Sequence, residues 1–404
     1  MAYVPGGKSA AVVSADYTIA ELCVAPGGTG DGRRTSPMGS LAAAVDKARS
    51  SGIRTVKLAS GEFQANLELS VPLAVSGGWK ADFSAASGKP TVLRGGSVDT
   101  ATNKKAPGYA LRVAGTAVDA TARLERLVFR GPEASYSAGL VVADGARPTV
   151  VSCEAYGGSG SYGYGASVLS GANPSFQFCR LDGGEGATST GLSVDGAKAT
   201  VSSCFLLAGN GTVTGYGLSA TDAGVKAYSS VLAAGKANVG YGAAFYTSKD
   251  SALVSCTVSG GEGKEATGVF ISDSDPALEN CIVSASGSAK SYGLYTNYGR
   301  SAPSRLASTL FLGCSTALLY AADTKTAYVS VDAGGGLAAE DGRILSSPKP
   351  DACARGDFSL GPAPGFAVPA GTALPAGKPS SGPAATDLKG KARTEPWSVG
   401  AYEL

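Results

Sequence analysis

Four aspartates, Asp144, Asp195, Asp222 and Asp273, follow short apolar runs at comparable places along the middle of this 404-residue chain, with Asp275 beside the last. Carboxylates repeated in this way are the first residues to test for chemistry. Two of them held about 5 to 9 Å apart would suit glycosidic hydrolysis, and six or more oxygens around one point would suit calcium. Asp195 and Asp222 stand in S-V-D-G and T-D-A-G, contexts in which an Asp bonds its own turn, so turn-capping is the expected role. Asp273 and Asp275, in S-D-S-D-P, fall short of a calcium set. The chain has no histidine, which removes imidazole acid–base catalysis, Ser/His/Asp and Cys/His constellations and histidine-ligated metal. No catalytic residue, metal site or cofactor is assigned.

The cysteines carry a second possible chemistry. Cys153, Cys179, Cys204, Cys256 and Cys281 recur in one register, with Ser230 filling the gap, while Cys23, Cys314 and Cys353 lie outside it. A four-thiolate zinc site needs close pairs such as C-x2-C, which this spacing does not supply. The five are expected to be an inward ladder of small buried side chains, unbridged. Gly157 to Gly165, GGSGSYGYG, lacks the Lys-Ser/Thr and the following helix of a phosphate loop. The tripeptide Arg355-Gly356-Asp357 is short enough to arise by chance in a glycine-rich chain.

Aromatic residues point to binding. Tyr241, Tyr246, Phe270, Tyr292, Tyr295 and Tyr298 fall at outward or turn positions on three successive repeats, and Tyr164 and Tyr216 occupy the same column earlier. Exposed rings about 4.8 Å apart from coil to coil can hold a sugar face or a partner protein. The competing reading is that the rings lock the turns or lie under the C-terminal tail.

What positions these residues is a repeat. Gly139, Gly165, Gly191, Gly217, Gly242, Gly268 and Gly293 recur every 25 or 26 residues. One residue beyond each lie Leu140, Ala166, Leu192, Leu218, Ala243, Val269 and Leu294, and three beyond lie Val142, Val168, Val194, Ala220, Phe245, Ile271 and Thr296. The residue between is mostly small or polar in the early copies, so the period is two and the run is a strand. Such a unit buries its apolar face only by stacking on the next, which gives a solenoid of about 26-residue coils. The 58 glycines fit sharp turns at positive φ, and the 7% aromatics fit a narrow interior. A net charge of +2 gives no reason to expect nucleic acid, and no apolar run is long enough for a transmembrane helix. The opening MAYVPGGKSA has no basic segment followed by an apolar core, so no signal peptide is expected in this chain.

The ends add a resemblance. From Cys23 to Phe63 the chain reads CVAPGGTGDGRRTSPMGSLAAAVDKARSSGIRTVKLASGEF, with a helix expected to start at Ser36 and Pro37, run near 40–50 and precede a strand from Thr55 to Leu58. Leu73 to Phe83, LAVSGGWKADF, follows. Near the other end stand DFSLGPAPGFAVPAGT and DLKGKARTEPWSVGAYE. These segments resemble right-handed parallel β-helix proteins of the pectate-lyase-like superfamily, in particular bacterial secreted or surface members that close on G-A-Y-E. The resemblance implies a helix plugging the N-terminal end and an extracellular or cell-surface location. It leaves function open, because this architecture hosts lyases, hydrolases, adhesins and scaffolds. The family's Asn-Thr-Asp, Asp-Asp, His-Gly and Arg-Ile-Lys segments are absent from this sequence.

The expected organisation is therefore an all-β, right-handed parallel β-helix. Residues 1–57 supply an N-terminal strand and capping helix, 58–337 the solenoid, and 338–404 an extended Pro/Gly-rich segment packed on it. The expected function is a non-catalytic secreted or cell-surface module that binds polysaccharide or a surface protein. A polysaccharide lyase or hydrolase is one alternative and a filament or sheath subunit another; the sequence sets no oligomeric state.

Overall fold

The computed structural model describes residues 20–96, 108–286, 288–307, 309–331, 337–339 and 353–356. Expectations that fall on residues 1–19 and 357–404, including the closing G-A-Y-E segment and Asp357, lie outside the described residues. Among the described residues the chain is all-β apart from one short helix, and its strands form three sheets of 13, 11 and 12 strands along one axis. Each coil gives one strand to each sheet. In one coil Thr149–Val151 joins sheet 1, Glu154–Tyr156 joins sheet 2 and Gly160–Leu169 joins sheet 3. The next coil repeats this in parallel register, with Thr149 opposite Ser175, Glu154 opposite Arg180 and Ala166 opposite Leu192. The expected parallel β-solenoid is the observed fold.

The inward columns read from the sequence form the core. Leu140, Ala166, Leu192, Leu218, Ala243, Val269 and Leu294 are all fully buried, as are Val142, Val168, Ala220, Phe245 and Ile271. They meet Ala155, Leu181, Leu206, Val258 and Val283 of sheet 2 in one continuous apolar cluster.

The repeat glycines have a different cause from the one composition suggests. No positive φ occurs at Gly139 or its equivalents; a Cβ on Gly139 would stand 2.7 Å from the Tyr156 amide nitrogen, and one on Gly191 2.5 Å from that of Leu207. Glycine is required there because the strand passes close to the sheet 2 backbone of the next coil. The left-handed corners are shared between other glycines, such as Gly145, Gly184 and Gly196, and polar residues, among them Asp144, Ser152, Ser170, Ser203, Asp222, Thr247, Asp273 and Asn280.

The helix runs over Leu41–Ser51 and begins four residues later than expected. Ser36–Met38 is a strand, paired antiparallel with Thr29–Arg33 and parallel with Leu22–Val24. The cap is Ser40, whose hydroxyl accepts from the Ala43 amide at 3.2 Å, and Gly52 closes the helix at φ 69°. Gly39 separates the strand from LAAAVDKARSS, in which Leu, Ala, Lys and Arg, strong helix formers, are seven of the eleven residues. Leu41, Ala44, Val45 and Ala48 face the solenoid core as expected.

Candidate binding surface

From Gly108–Ala114 upward the strands of sheet 3 are the longest of each coil, eight residues in Val239–Tyr246 and in Glu265–Ser272. Strict alternation would send residues three apart to opposite faces. The repeat glycine breaks it. Gly268 points toward the Val283 side chain of sheet 2 and Val269 is buried beside it, so the residues before the glycine and two after it share the outer face. Tyr292 and Tyr295, on either side of Gly293, therefore meet edge to face at 5.3 Å.

Five of the six sequence-selected rings come together on this face. Tyr241 touches Phe270 edge-on at 5.3 Å, Tyr246 touches Phe270 at 5.3 Å, and Phe270 stacks on Tyr295 at 5.6 Å with planes 18° apart. Tyr216 stacks on Tyr241 at 5.2 Å and extends the network downward. Tyr320 extends it upward, 5.3 Å from Tyr295 and 5.5 Å from Tyr292. Sequence reading missed Tyr320, although it lies one coil beyond Tyr295 and pairs with it in register. Tyr298 is separate: it sits in the longer loop after Lys290–Thr296, is 59% exposed, and its amide and carbonyl bond Ser301. Tyr164 lies lower on the same sheet beside Tyr109, Val141 and Leu169.

Between successive coils Tyr216–Tyr241 and Phe270–Tyr295 stack face to face, while the other contacts are edge-on or tilted, so the strip presents both ring faces and ring edges. Tyr292 is nearly buried, whereas Tyr241, Tyr246, Phe270, Tyr295 and Tyr320 are half-buried. Burial pushes the Tyr241 hydroxyl up to about 12 and the Tyr246 hydroxyl further above the usual phenol range; the latter also hydrogen-bonds Tyr216. Both are neutral donors at any physiological pH. At the start of these strands Glu265 and Lys290 form an ion pair at 3.9 Å.

The aspartates do not converge in this way. Asp144, Asp222 and Asp273 each hold the left-handed residue of the corner after sheet 3, at φ 55°, 47° and 48°. Asp195 belongs to the strand instead, opposite Thr221, while Gly196 takes the corner. Asp222 borders an open groove of about 540 Å³ in which Arg147, Lys198 and Lys249 accompany it and Asp250. Asp144 is ion-paired with Arg112, which also holds Glu68. Among the described residues no group of three or more potential metal ligands gathers.

Cys153, Cys179, Cys204, Cys256 and Cys281 are buried at the corner between sheets 1 and 2. Each thiol donates to the carbonyl two residues earlier, at 3.2 to 3.4 Å. Ser230 donates in the same way to Tyr228 at 2.7 Å. Cys314 repeats the bond to Leu312 at the next corner of its coil. Burial drives the Cys153, Cys204 and Cys281 thiols well above their usual range, so they stay protonated.

Compared with known proteins, the sequence matches no family model and no curated protein. Among solved structures it is similar to the catalytic domain of a GH87 alpha-1,3-glucanase variant in complex with tetrasaccharides, at a TM-score of 0.32 and 10% identity, over 78% of this chain and 64% of that one. No helix among the described residues is long and apolar enough to cross a membrane.

Proposed function

We propose that this protein is a rigid, non-catalytic binding module of the pectate-lyase-like kind, working outside the cell, that holds a polysaccharide along the outer face of sheet 3. The observation that carries this reading is the unbroken network of seven rings, Tyr216, Tyr241, Tyr246, Phe270, Tyr292, Tyr295 and Tyr320, running with the solenoid axis. The strip offers aromatic surface and neutral phenol groups, and a sugar chain likewise offers C–H surface and hydroxyls. Such a surface needs neither charge nor metal to hold a glycan. The scattered placement of Asp144, Asp195, Asp222 and Asp273 supports the non-catalytic part of the reading. Both chain ends support the family and location through their resemblance.

Retention on immobilised neutral and acidic polysaccharides tests the proposal. Tyr241→Phe and Tyr295→Phe keep the rings and remove one phenol hydroxyl each. Each is expected to weaken binding about fivefold, the worth of roughly 1 kcal/mol for one hydrogen bond. Wild-type protein that is not retained on any glycan, but is retained by isolated surface proteins, would replace the polysaccharide with a protein partner. Release of new reducing or unsaturated ends during the same incubation would overturn the non-catalytic reading.

A further inference from the structure

Sheet 2 changes character along its length. On its outer face the early coils carry Arg94, Arg130, Glu154 and Arg180, all partly or fully open to solvent. From the strand Phe205–Leu207 upward the same positions become apolar or small: Phe205 and Leu207, Val231 and Ala233, Thr257 and Ser259, Ile282 and Ser284, Leu310 and Leu312. These side chains point away from the core, because Leu206, Leu232, Val258, Val283 and Phe311 between them belong to it. Yet Val231 is 0%, Ile282 2%, Leu310 3% and Leu312 1% exposed. The outer face of sheet 1 provides the contrast, since Val151, Tyr228 and Val254 on it are only half-buried. Among the described residues no second layer of strand or helix stacks on the outer face of sheet 2.

We infer that residues 357–404 of this chain cover that face, as a strap running from the last coil down to Phe205. The chain arrives where the strap must begin: Cys353–Gly356 is the terminal strand of sheet 2, paired in parallel with Thr309–Leu312. Reach is ample. The face from Leu310 to Phe205 spans four strand spacings, roughly 20 Å, which fewer than ten extended residues cross at about 3.3 Å each. The segment supplies Phe358, Leu360, Phe366, Val368 and Leu374 for the apolar face. Its prolines at 362, 364, 369 and 375 lack the amide that a further ladder strand needs. An extended chain of this kind gains more by lying across a sheet than by lengthening one. This placement also leaves the aromatic strip of sheet 3 uncovered.

Amine cross-linking of the full-length protein, read by mass spectrometry on a mixture of heavy- and light-labelled chains, tests the strap. Lys389 and Lys391 are expected to link within one chain to Lys236 and Lys264, which follow sheet 2 strands on the apolar half. Links going instead to Lys198, Lys226 and Lys249, beside sheet 1, would overturn the placement. Heavy-to-light links at Lys236 or Lys264 would show that a second copy covers the face and would equally overturn it. In a second measurement, Ile282→Asp with Leu310→Asp should remove the protection of Lys389, Lys391 and Arg393 from trypsin. Rapid cleavage at those sites already in the wild-type protein would sink the proposal even if the double variant fails to fold.

Discussion

Cys204 and Ser230 occupy the same corner one coil apart and perform the same task, each donating to the carbonyl two residues before it. The Ser230 hydroxyl also accepts the Cys204 amide at 3.1 Å, and the Cys204 sulfur accepts that of Cys179 at 3.3 Å, so the column is a hydrogen-bond relay as well as a stack. Cys204→Ser should therefore change stability by less than about 1 kcal/mol, whereas Cys204→Val, which removes the acceptor of the buried Cys179 amide, should cost about 1 to 3 kcal/mol. Urea denaturation of the two variants checks this; equal losses would mean the thiols act by size alone. A thiol held protonated and fully buried is a poor nucleophile, so Cys153, Cys204 and Cys281 should resist alkylation in the native protein and label once it is unfolded. The repeat glycines are less forgiving. A Cβ at Gly191 would meet the Leu207 amide nitrogen and the Gly217 carbonyl oxygen, both backbone atoms that cannot rotate away. Gly191→Ala should cost about 3 kcal/mol or more, and a loss under 1 kcal/mol in the same titration would show that the coil spreads to admit the methyl.

Within sheet 3 the glycine break places two outward columns beside each other and turns scattered aromatics into one strip. Their phenols set an alkaline limit. Tyr164 and Tyr241 titrate near 12 in the folded chain, chiefly through burial, against an ordinary value of 10. A pKa raised by folding favours the protonated native state, so this contribution is intact below about pH 10 and is lost as pH climbs toward 12. Denaturant midpoints should hold flat up to pH 10 and fall beyond it, and a fall confined to pH 7 to 9 would point to other groups. The fold was legible at this scale because +1 and +3 from each glycine alternate with polar residues, as at Leu192, Ser193 and Val194. The strip was only partly legible. Period two, applied across Gly293, puts Tyr292 and Tyr295 on opposite faces; the exception arises from backbone crowding against sheet 2, which no local pattern encodes. The helix start was misplaced for a related reason, since Ser36-Pro37 carries a helix-opening signal that pairing with Leu22–Val24 and Thr29–Arg33 overrides.

For the molecule as a whole, a solenoid joins its coils only to their neighbours, so stability is the sum of coil and interface contributions rather than one shared core. Leu192 sits midway, buried completely, with Ala166 and Leu218 as its partners in the coils on either side. Leu192→Asp puts an unpaired carboxylate into that interior, a change worth several kcal/mol. In a globular protein such a loss is felt everywhere. Here it should be local: hydrogen exchange followed by mass spectrometry is expected to show lost protection in the coils from Gly165 to Gly217. The helix Leu41–Ser51 with the first coils should keep theirs at one end, and the coils bearing Phe270, Tyr295 and Tyr320 at the other. Glycan retention should then survive the substitution, because the upper part of the strip rests on coils that do not touch Leu192. Uniform deprotection along the chain, with retention lost in parallel, would show that the two ends are coupled more tightly than neighbour-to-neighbour stacking allows.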